Sequence, residues 1–307
     1  MSPFSVSVII PVYNAARYLT EAVASAVALP DVIEVLLVED ASSDDSLQVC
    51  FILAEKYRTV HVLQHADKKN HGVAASRNLG IRAAKADFIA FLDADDYYLP
   101  GRFEKEREIF ASNADVDGVY GCNKAVFENE DVKKKFLQQY ESEVTTVSQT
   151  LPPGELFKAL LYGGYGRFHT SAITLRKSIF FSAGFFNTSL RMAEDSELWL
   201  KLSLKGKLVA GSIDLPVAIR RVHGSNSIHQ TALAVEYRKR MYEALFPWAL
   251  KQDVSFDVKN SFFITLHKHV IGEQHGVKTL LWQQVIRHPR LLFSSFFYKK
   301  IHQLYLL

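Results

Sequence analysis

Residues 91–98 read FLDADDYY and put three carboxylates, Asp93, Asp95 and Asp96, into four positions behind an apolar run. Like charges at that spacing repel unless a hard divalent cation shares them, and oxygen donors suit Mg²⁺ or Mn²⁺. Mg²⁺ usually takes only one or two protein carboxylates and fills its shell with phosphate oxygens and water. The implied ligand is therefore a metal-bound di- or triphosphate. Neither GxxxxGK[ST] nor GxGxxG occurs in the chain, so the metal and basic side chains such as Arg77 are left to neutralise the phosphates. A second acidic pair, Glu194–Asp195, opens the stretch EDSELWLKLSLKG. Such a pair either favours a helix N-terminus by about 0.3–1 kcal/mol or takes a proton from an attacking hydroxyl.

The elements that must position these groups follow from the apolar pattern. VSVIIPVY, IEVLLVED, VHVLQH and FIAFLDA are short β-branched or apolar runs ending in polar residues, which predicts strands. Between them 15–29, 43–57 and 73–85 read as helices, two of them Ala-rich. This alternation predicts βαβ units and a parallel sheet buried on both faces. In such sheets ligands bind beyond the carboxyl ends of the strands. Tyr13–Asn14, Glu39–Asp40 and the 93–96 acids all fall at such ends. Downstream, LPGRFEKEREIF predicts a helix and DGVYGCNKAVF one further strand, while the polar stretch 128–150 predicts a loop or excursion. PPGELFKALLY starts a second group, followed by the glycine-aromatic loop GGYGRFH. There Tyr165 and His169 could contact a ligand, or pack. His223, in RVHGSNS, could ligate metal, touch phosphate, or be solvated.

Composition bounds the class. The chain has 307 residues, 48% hydrophobic and 22% charged, enough for a large core without covalent staples. Two cysteines, Cys50 and Cys122, lie far apart without zinc spacing, which predicts a reducing, cytoplasmic setting. The N-terminus reads as a strand rather than a signal peptide, and no apolar stretch reaches the ~18–20 residues of a membrane span. Net charge is only +3, so no nucleic-acid partner is expected, but from Asn226 onward 11 basic residues face 5 acidic ones. The C-terminal helices, with apolar and aromatic residues opposite polar ones, predict one of three contacts: a membrane surface, a second copy of the chain, or the preceding domain.

The ordered set SVIIPVYN, VEDASSDDS, GVAASRNLGI, FLDADD and EDSELWLKLSLKG resembles the inverting glycosyltransferases of family 2, over roughly residues 5–227. The resemblance implies an α/β fold of GT-A type: a nucleotide-binding sandwich with a mostly parallel central sheet flanked by helices. A C-terminal helical extension follows. It implies a glycosyltransferase domain over 1–227, with a nucleotide-sugar half at 1–127 and an acceptor half at 151–227, then a helical region at 228–307. It places Pro11, Tyr13, Asn14, Asp40, Arg77, Asn78, Asp93 and Ala94 against the donor, a UDP-sugar being the commonest. It assigns Asp95, with Asp96 and His223 as further candidates, to a Mn²⁺ or Mg²⁺ ion. Asp195 becomes the base, with Glu194 beside it, acting on a carbohydrate or lipid-linked acceptor near Tyr165 and His169. Cell-surface polysaccharide or glycolipid synthesis, at or near the cytoplasmic face of a membrane, is the implied setting. The family's usual VDDGS is VEDAS here, and Ala41 suits that turn unless its φ is positive. Two alternatives remain open: a sugar-phosphate nucleotidyltransferase, which should carry a glycine-rich basic loop after the first strand, and a non-catalytic scaffold.

Overall fold

The structure is a computed structural model that describes residues 4–140, 142–224, 231–270 and 276–305. The chain divides into two compact units, 1–229 and 230–307; their boundary lies among residues 225–230, outside the described residues.

The first unit opens with the expected alternation: β1 Val6–Val12, α1 Ala16–Val27, β2 Val32–Glu39, α2 Ser46–Lys56, β3 Val60–Gln64, α3 Val73–Ala83 and β4 Phe88–Phe91. The period of two along β1 feeds both faces of the sheet. Val6, Val8, Ile10 and Val12 pack with Leu19, Ala22, Val23 and Ala26 of α1. Ile9 points the other way, into a core with Ala74 and Ile81 of α3. There α3 runs so close to β1 that a Cβ on Gly80 would lie 2.5 Å from Ile9 Cγ2. Each such fully buried Val, Ile or Leu contributes about 1.5–3 kcal/mol.

Beyond β4 come β5 Tyr97–Tyr98, α4 Glu104–Ser112, β6 Gly118–Tyr120, β7 Cys122–Phe127, α5 Glu130–Tyr140, β8 Val144–Thr145 and α6 Pro153–Tyr162. A 3₁₀ turn at Thr170–Ala172, β9 Ile173–Arg176, α7 Ile179–Ala183, α8 Glu194–Lys205, β10 Leu208–Ala210 and β11 Pro216–Val222 complete the unit. Seven strands form the main sheet in the order β10-β6-β9-β4-β1-β2-β3, with β9 antiparallel to both its neighbours and the other pairs parallel.

Two expectations are corrected. DGVYGCNKAVF is two strands in two sheets: β6 belongs to the main sheet, and β7 to a four-stranded sheet β5-β11-β7-β8. The switch falls at Gly121, where a Cβ would meet the Ser212 carbonyl oxygen at 2.8 Å. The polar stretch 128–150 holds a helix, α5, and a short strand, β8; Val132 and Phe136 of that helix bury against Ala125 and Val222. The small sheet also matters for position. In it β11 pairs with both β5 and β7, fastening the end of IRRVH beside the loop that carries the 93–96 acids. Beneath them Arg102, fully buried, ion-pairs with Glu106 of α4 and donates from Nε to the Ser171 carbonyl at 3.2 Å.

The second unit holds α9 Thr231–Leu250, α10 Phe256–Val270, α11 Val277–Arg287, a 3₁₀ segment Pro289–Phe293 and α12 Ser295–Tyr305. Its core is aromatic: Phe296 meets Phe246, Phe256 and Phe263 with ring centroids 5.5–5.8 Å apart. Trp282, Ile286, Phe293 and Tyr298 are exposed. Among the described residues, no helix is long and apolar enough to cross a membrane.

Candidate active site

The loops after β1 and β2 are clipped together. Asn14 donates its backbone N–H to Ser42 Oγ at 3.1 Å, and its Oδ1 accepts the Ser43 N–H at 2.8 Å. Glu39 accepts the Ser42 N–H at 2.6 Å and the Gln64 amide at 2.8 Å. Asn14 has φ 51° and Ala41 φ 58°, so Ala41 occupies the left-handed region that VDDGS would give to glycine. An L-residue there carries a cost of about 1–2 kcal/mol. Asp40, buried, accepts the N–H groups of His71 at 2.8 Å and Gly72 at 2.7 Å. It thus fixes the entry to α3, with His65 Nε2 a further 3.5 Å from Oδ1. Tyr13 stands 54% exposed beside this clip, free to offer a ring face, and Pro11 lies half-buried in β1 opposite Val38.

Helix α3 delivers Arg77 to the centre. Its Nη2 donates to Asp93 Oδ1 at 2.7 Å and its Nη1 to Glu194 Oε1 at 2.8 Å. Burial opposes the guanidinium charge, but Asp93 and Glu194 outweigh it and raise the Arg77 pKa. Against the same burial, the Arg77 charge and hydrogen bond hold Asp93 below the usual carboxylate range. Arg77 therefore pairs two carboxylates, one from each acidic stretch. Asn78 clips the Phe186 backbone through both amide atoms, at 2.8 and 3.0 Å. Ala94 is buried in the core under α1.

The acids after β4 diverge. Asp95 Oδ2 lies 3.0 Å from His223 Nε2. Asp96, buried, accepts the Arg221 N–H at 2.9 Å, and burial together with the charges of Asp95 and Asp93 raises its pKa well above the usual range. Asp93, Asp96 and His169 bring ligand atoms within 4.8 Å of one another. Carboxylate oxygens suit Mn²⁺ or Mg²⁺, whereas imidazole is the ligand of softer ions. The uncompensated negative charge that raises Asp96 is what a cation here would relieve, so the carboxylates fit a metal. His169 is half-buried, and burial with the Arg220 charge lowers its pKa to about 4, leaving the ring neutral. Tyr165 lies exposed in the loop ahead of it.

The second acidic pair starts α8. Its N-cap, Ala193, has φ 61°. Glu194 is buried, and burial with the Asp195 charge pushes its pKa up to about 7 despite Arg77. Asp195 is half-buried and accepts the Ser196 N–H at 2.5 Å. The Asp195 charge acts on Arg77 and on His169 as well as on Glu194.

Three participants were not singled out from the sequence. Arg221 donates from Nη1 to the Asp95 carbonyl at 3.0 Å and ion-pairs with Glu21 of α1. Tyr18 stacks on His223, centroids 5.3 Å apart. Arg220 lies over the Phe136 ring at 5.9 Å, on the opposite face of β11. Strand alternation across IRRVH was the available signal, since it sends Arg221 and His223 to one side and Arg220 to the other.

Comparison with known proteins agrees with this architecture. Residues 7–180 match the family model "Glycosyl transferase family 2". An uncharacterized glycosyltransferase of Rickettsia typhi is 27% identical over 252 residues, 80% of this chain and 72% of that protein. The minor teichoic acid biosynthesis protein GgaB of Bacillus subtilis is 39% identical over 110 residues, 35% of this chain and 12% of its own. Among solved structures, S. aureus TarS 1-349 in complex with UDP-GlcNAc superposes with a TM-score of 0.66 at 19% identity, covering 87% of this chain and 71% of that one. The mannosyltransferase PcManGT from Pyrobaculum calidifontis, in complex with GDP-Man and Mn²⁺, gives 0.56 at 14% identity, covering 95% and 84%. The chain belongs to glycosyl transferase family 2 and has the GT-A fold.

Proposed function

We propose that this glycosyltransferase moves a sugar from a nucleoside-diphosphate sugar, UDP being the favoured nucleotide, to an acceptor hydroxyl with inversion at the anomeric carbon. Cell-surface polysaccharide or glycolipid synthesis is the process it would serve, with a carbohydrate or lipid-linked acceptor. One observation carries the reading: Arg77 joins Asp93, at the end of β4, to Glu194, at the start of α8. A donor lying along the strand ends would thereby sit next to a second acidic pair. In the proposed reaction Tyr13 stacks on the base and Asp40 accepts from it. Asp195 takes the proton of the acceptor hydroxyl as that oxygen attacks opposite the leaving diphosphate. Glu194, tied to Arg77, orients this end of the site. Asp95, with Asp96 and His223 near it, would hold Mn²⁺ or Mg²⁺, which stabilises charge on the departing diphosphate.

The test is a screen of nucleotide-sugars for release of nucleoside diphosphate, with and without Mn²⁺ and with candidate acceptors. Metal-dependent release from one donor, lost in Asp195→Asn, supports the reading. Pyrophosphate release from a nucleoside triphosphate and a sugar phosphate would replace it with nucleotidyl transfer.

The proposal extends to the second unit. Its exposed Trp282, Ile286, Phe293 and Tyr298, in a stretch where basic residues outnumber acidic ones, favour peripheral contact with an anionic membrane at the cytoplasmic face. Sedimentation with vesicles containing phosphatidylglycerol should occur and weaken with salt. A stable dimer without vesicle binding would assign the face to a second copy instead.

A further inference from the structure

The hydrogen-bond directions around His169 constrain which of its ring nitrogens carries the proton. The backbone N–H of Ser171 donates to Nδ1 at 3.3 Å, with His169 serving as N-cap of the 3₁₀ turn. An N–H group can only donate, so Nδ1 presents a lone pair to it. The Ser171 hydroxyl lies 2.8 Å from the same nitrogen. Its oxygen also lies 3.4 Å from the Asn123 amide; with the Nδ1 lone pair already facing the Ser171 N–H, the hydroxyl can meet this nitrogen only as a second donor. Asn123 and Ser171 are both fully buried, so water does not compete for these directions. Arg102 fixes the turn from below by donating to the Ser171 carbonyl. Asn123, Ser171 and His169 thus form a chain of donors running one way, from the core to the ring.

A neutral imidazole with a bare Nδ1 carries its hydrogen on Nε2. With Nδ1 held by Ser171, Nε2 is the nitrogen left for the carboxylates of Asp93 and Asp96, whose oxygens lie within 4.8 Å of a His169 ligand atom. A histidine that ligates metal through Nε2 needs a lone pair there, and it ordinarily donates its Nδ1–H to an acceptor. The partners of Nδ1 here are donors, the reverse arrangement.

We propose that His169 is a hydrogen-bond donor to the sugar-nucleotide and not a metal ligand. It offers Nε2–H to an oxygen of the sugar or the diphosphate held beside Asp93 and Asp96, and leaves the cation to the Asp95–His223 side. The ligand's identity rests on the donor reading above; the protonation pattern does not. Ser171 and Asn123 are positioning residues that act through the ring.

The first test reads the tautomer in the wild-type chain without nucleotide. Long-range ¹H–¹⁵N NMR on histidine-labelled protein, assigned with His169→Gln, should show Nε2 protonated and Nδ1 bare, unchanged when Mg²⁺ or Zn²⁺ is added. An Nδ1–H ring, or one whose proton moves to Nδ1 with metal, overturns the proposal whether or not the protein binds a sugar-nucleotide.

The second test measures Mn²⁺ binding by the electron paramagnetic resonance signal of free Mn²⁺. His169→Gln should stay within about twofold of wild type and Asp95→Asn should weaken at least tenfold; tenfold weakening in His169→Gln would make His169 a ligand. With a donor identified, His169→Ala should raise its KM about 10–100-fold, the range for a lost hydrogen bond to a charged group. His169→Gln, which keeps an N–H near Nε2, should recover most of that loss. If UDP and the UDP-sugar weaken alike, the contact is to diphosphate; if only the UDP-sugar weakens, it is to sugar. If neither weakens, the assignment fails.

Discussion

Glu194 should make the protein less stable as pH rises through neutrality, and Glu194→Gln should remove that effect. Glu194 is buried beside Asp195, and these two influences lift its pKa from 4.5 to about 7 although Arg77 opposes them. A carboxyl held above its unfolded value binds its proton more tightly in the folded chain. Its favourable contribution is complete below about pH 4.5 and is lost as pH climbs through about 7. The interval from 4.5 to about 7, at about 1.4 kcal/mol per pH unit, corresponds to about 3.5 kcal/mol as an upper bound. In a domain of this size each kcal/mol moves Tm by about 2–4 °C. Glutamine keeps the shape and an oxygen that accepts the Arg77 Nη1–H, but it cannot ionise.

The assay is thermal unfolding of both proteins in half-unit steps from pH 4.5 to 8.5 at constant ionic strength, read as the difference in Tm. Subtraction cancels the histidines and carboxyls that do not sense the Glu194 charge. The difference should turn in favour of Glu194→Gln across the interval, by about 7–14 °C at most, and flatten above pH 8. Parallel curves, differing by a constant offset, would refute the reasoning: Glu194 would then be ionised throughout, and the Arg77 ion pair would outweigh burial.

Other outcomes follow from neighbouring contacts. Asp195→Asn should lower kcat by about 10²–10⁴-fold without lowering Tm, because Glu194 loses a like-charge neighbour; steady-state kinetics and calorimetry check both halves. Arg77→Met strands the Asp93 and Glu194 carboxylates and should cost about 3–5 kcal/mol at pH 8. Its loss should shrink toward pH 5 as Glu194 protonates, measured by urea unfolding at the two pH values. Ala41→Gly relieves the positive φ of the β2 loop and should stabilise by up to about 1 kcal/mol, after the added unfolded-state freedom of glycine is subtracted. An unchanged or lower urea midpoint would mean that the turn is not strained.

Much of the frame could be read directly because each core strand is a nearly continuous apolar run with its polar residues at one end. Tyr13, Asp40 and Asp93 needed only the strand directions to be placed at one edge. What was hidden depended on contacts between distant residues. Nothing local to Arg77 says that it bridges to Glu194, 117 positions away; a basic residue near acids reads equally well as a phosphate ligand. Asn78 looks like a site residue by its company, yet its amide serves the Phe186 backbone. The antiparallel β9 is four residues long and carries no turn signal for its direction. In 128–150 the charged residues mask a buried stripe, Val132 and Phe136, that needs β7 and β11 to be seen as one.

Strain gives an independent pointer to the same place. The described residues other than glycine with positive φ are Asn14, Ala41, Lys68 and Ala193. Asn14 follows β1, Ala41 follows β2 beside Asp40, and Ala193 immediately precedes Glu194, so three of the four border the acidic cluster. Lys68, in the loop between β3 and α3, comes three residues before His71, whose N–H is held by Asp40. Alanine in the left-handed region has no side-chain hydrogen bond to offset its cost, and such conformations persist where surrounding contacts over-determine them. Two alanines in that state flank the two acidic loops, where glycine would remove the strain but loosen the turn. That placement is expected if the loops must hold the orientations of Asp40 and Glu194 against the repulsion of the carboxylates around them.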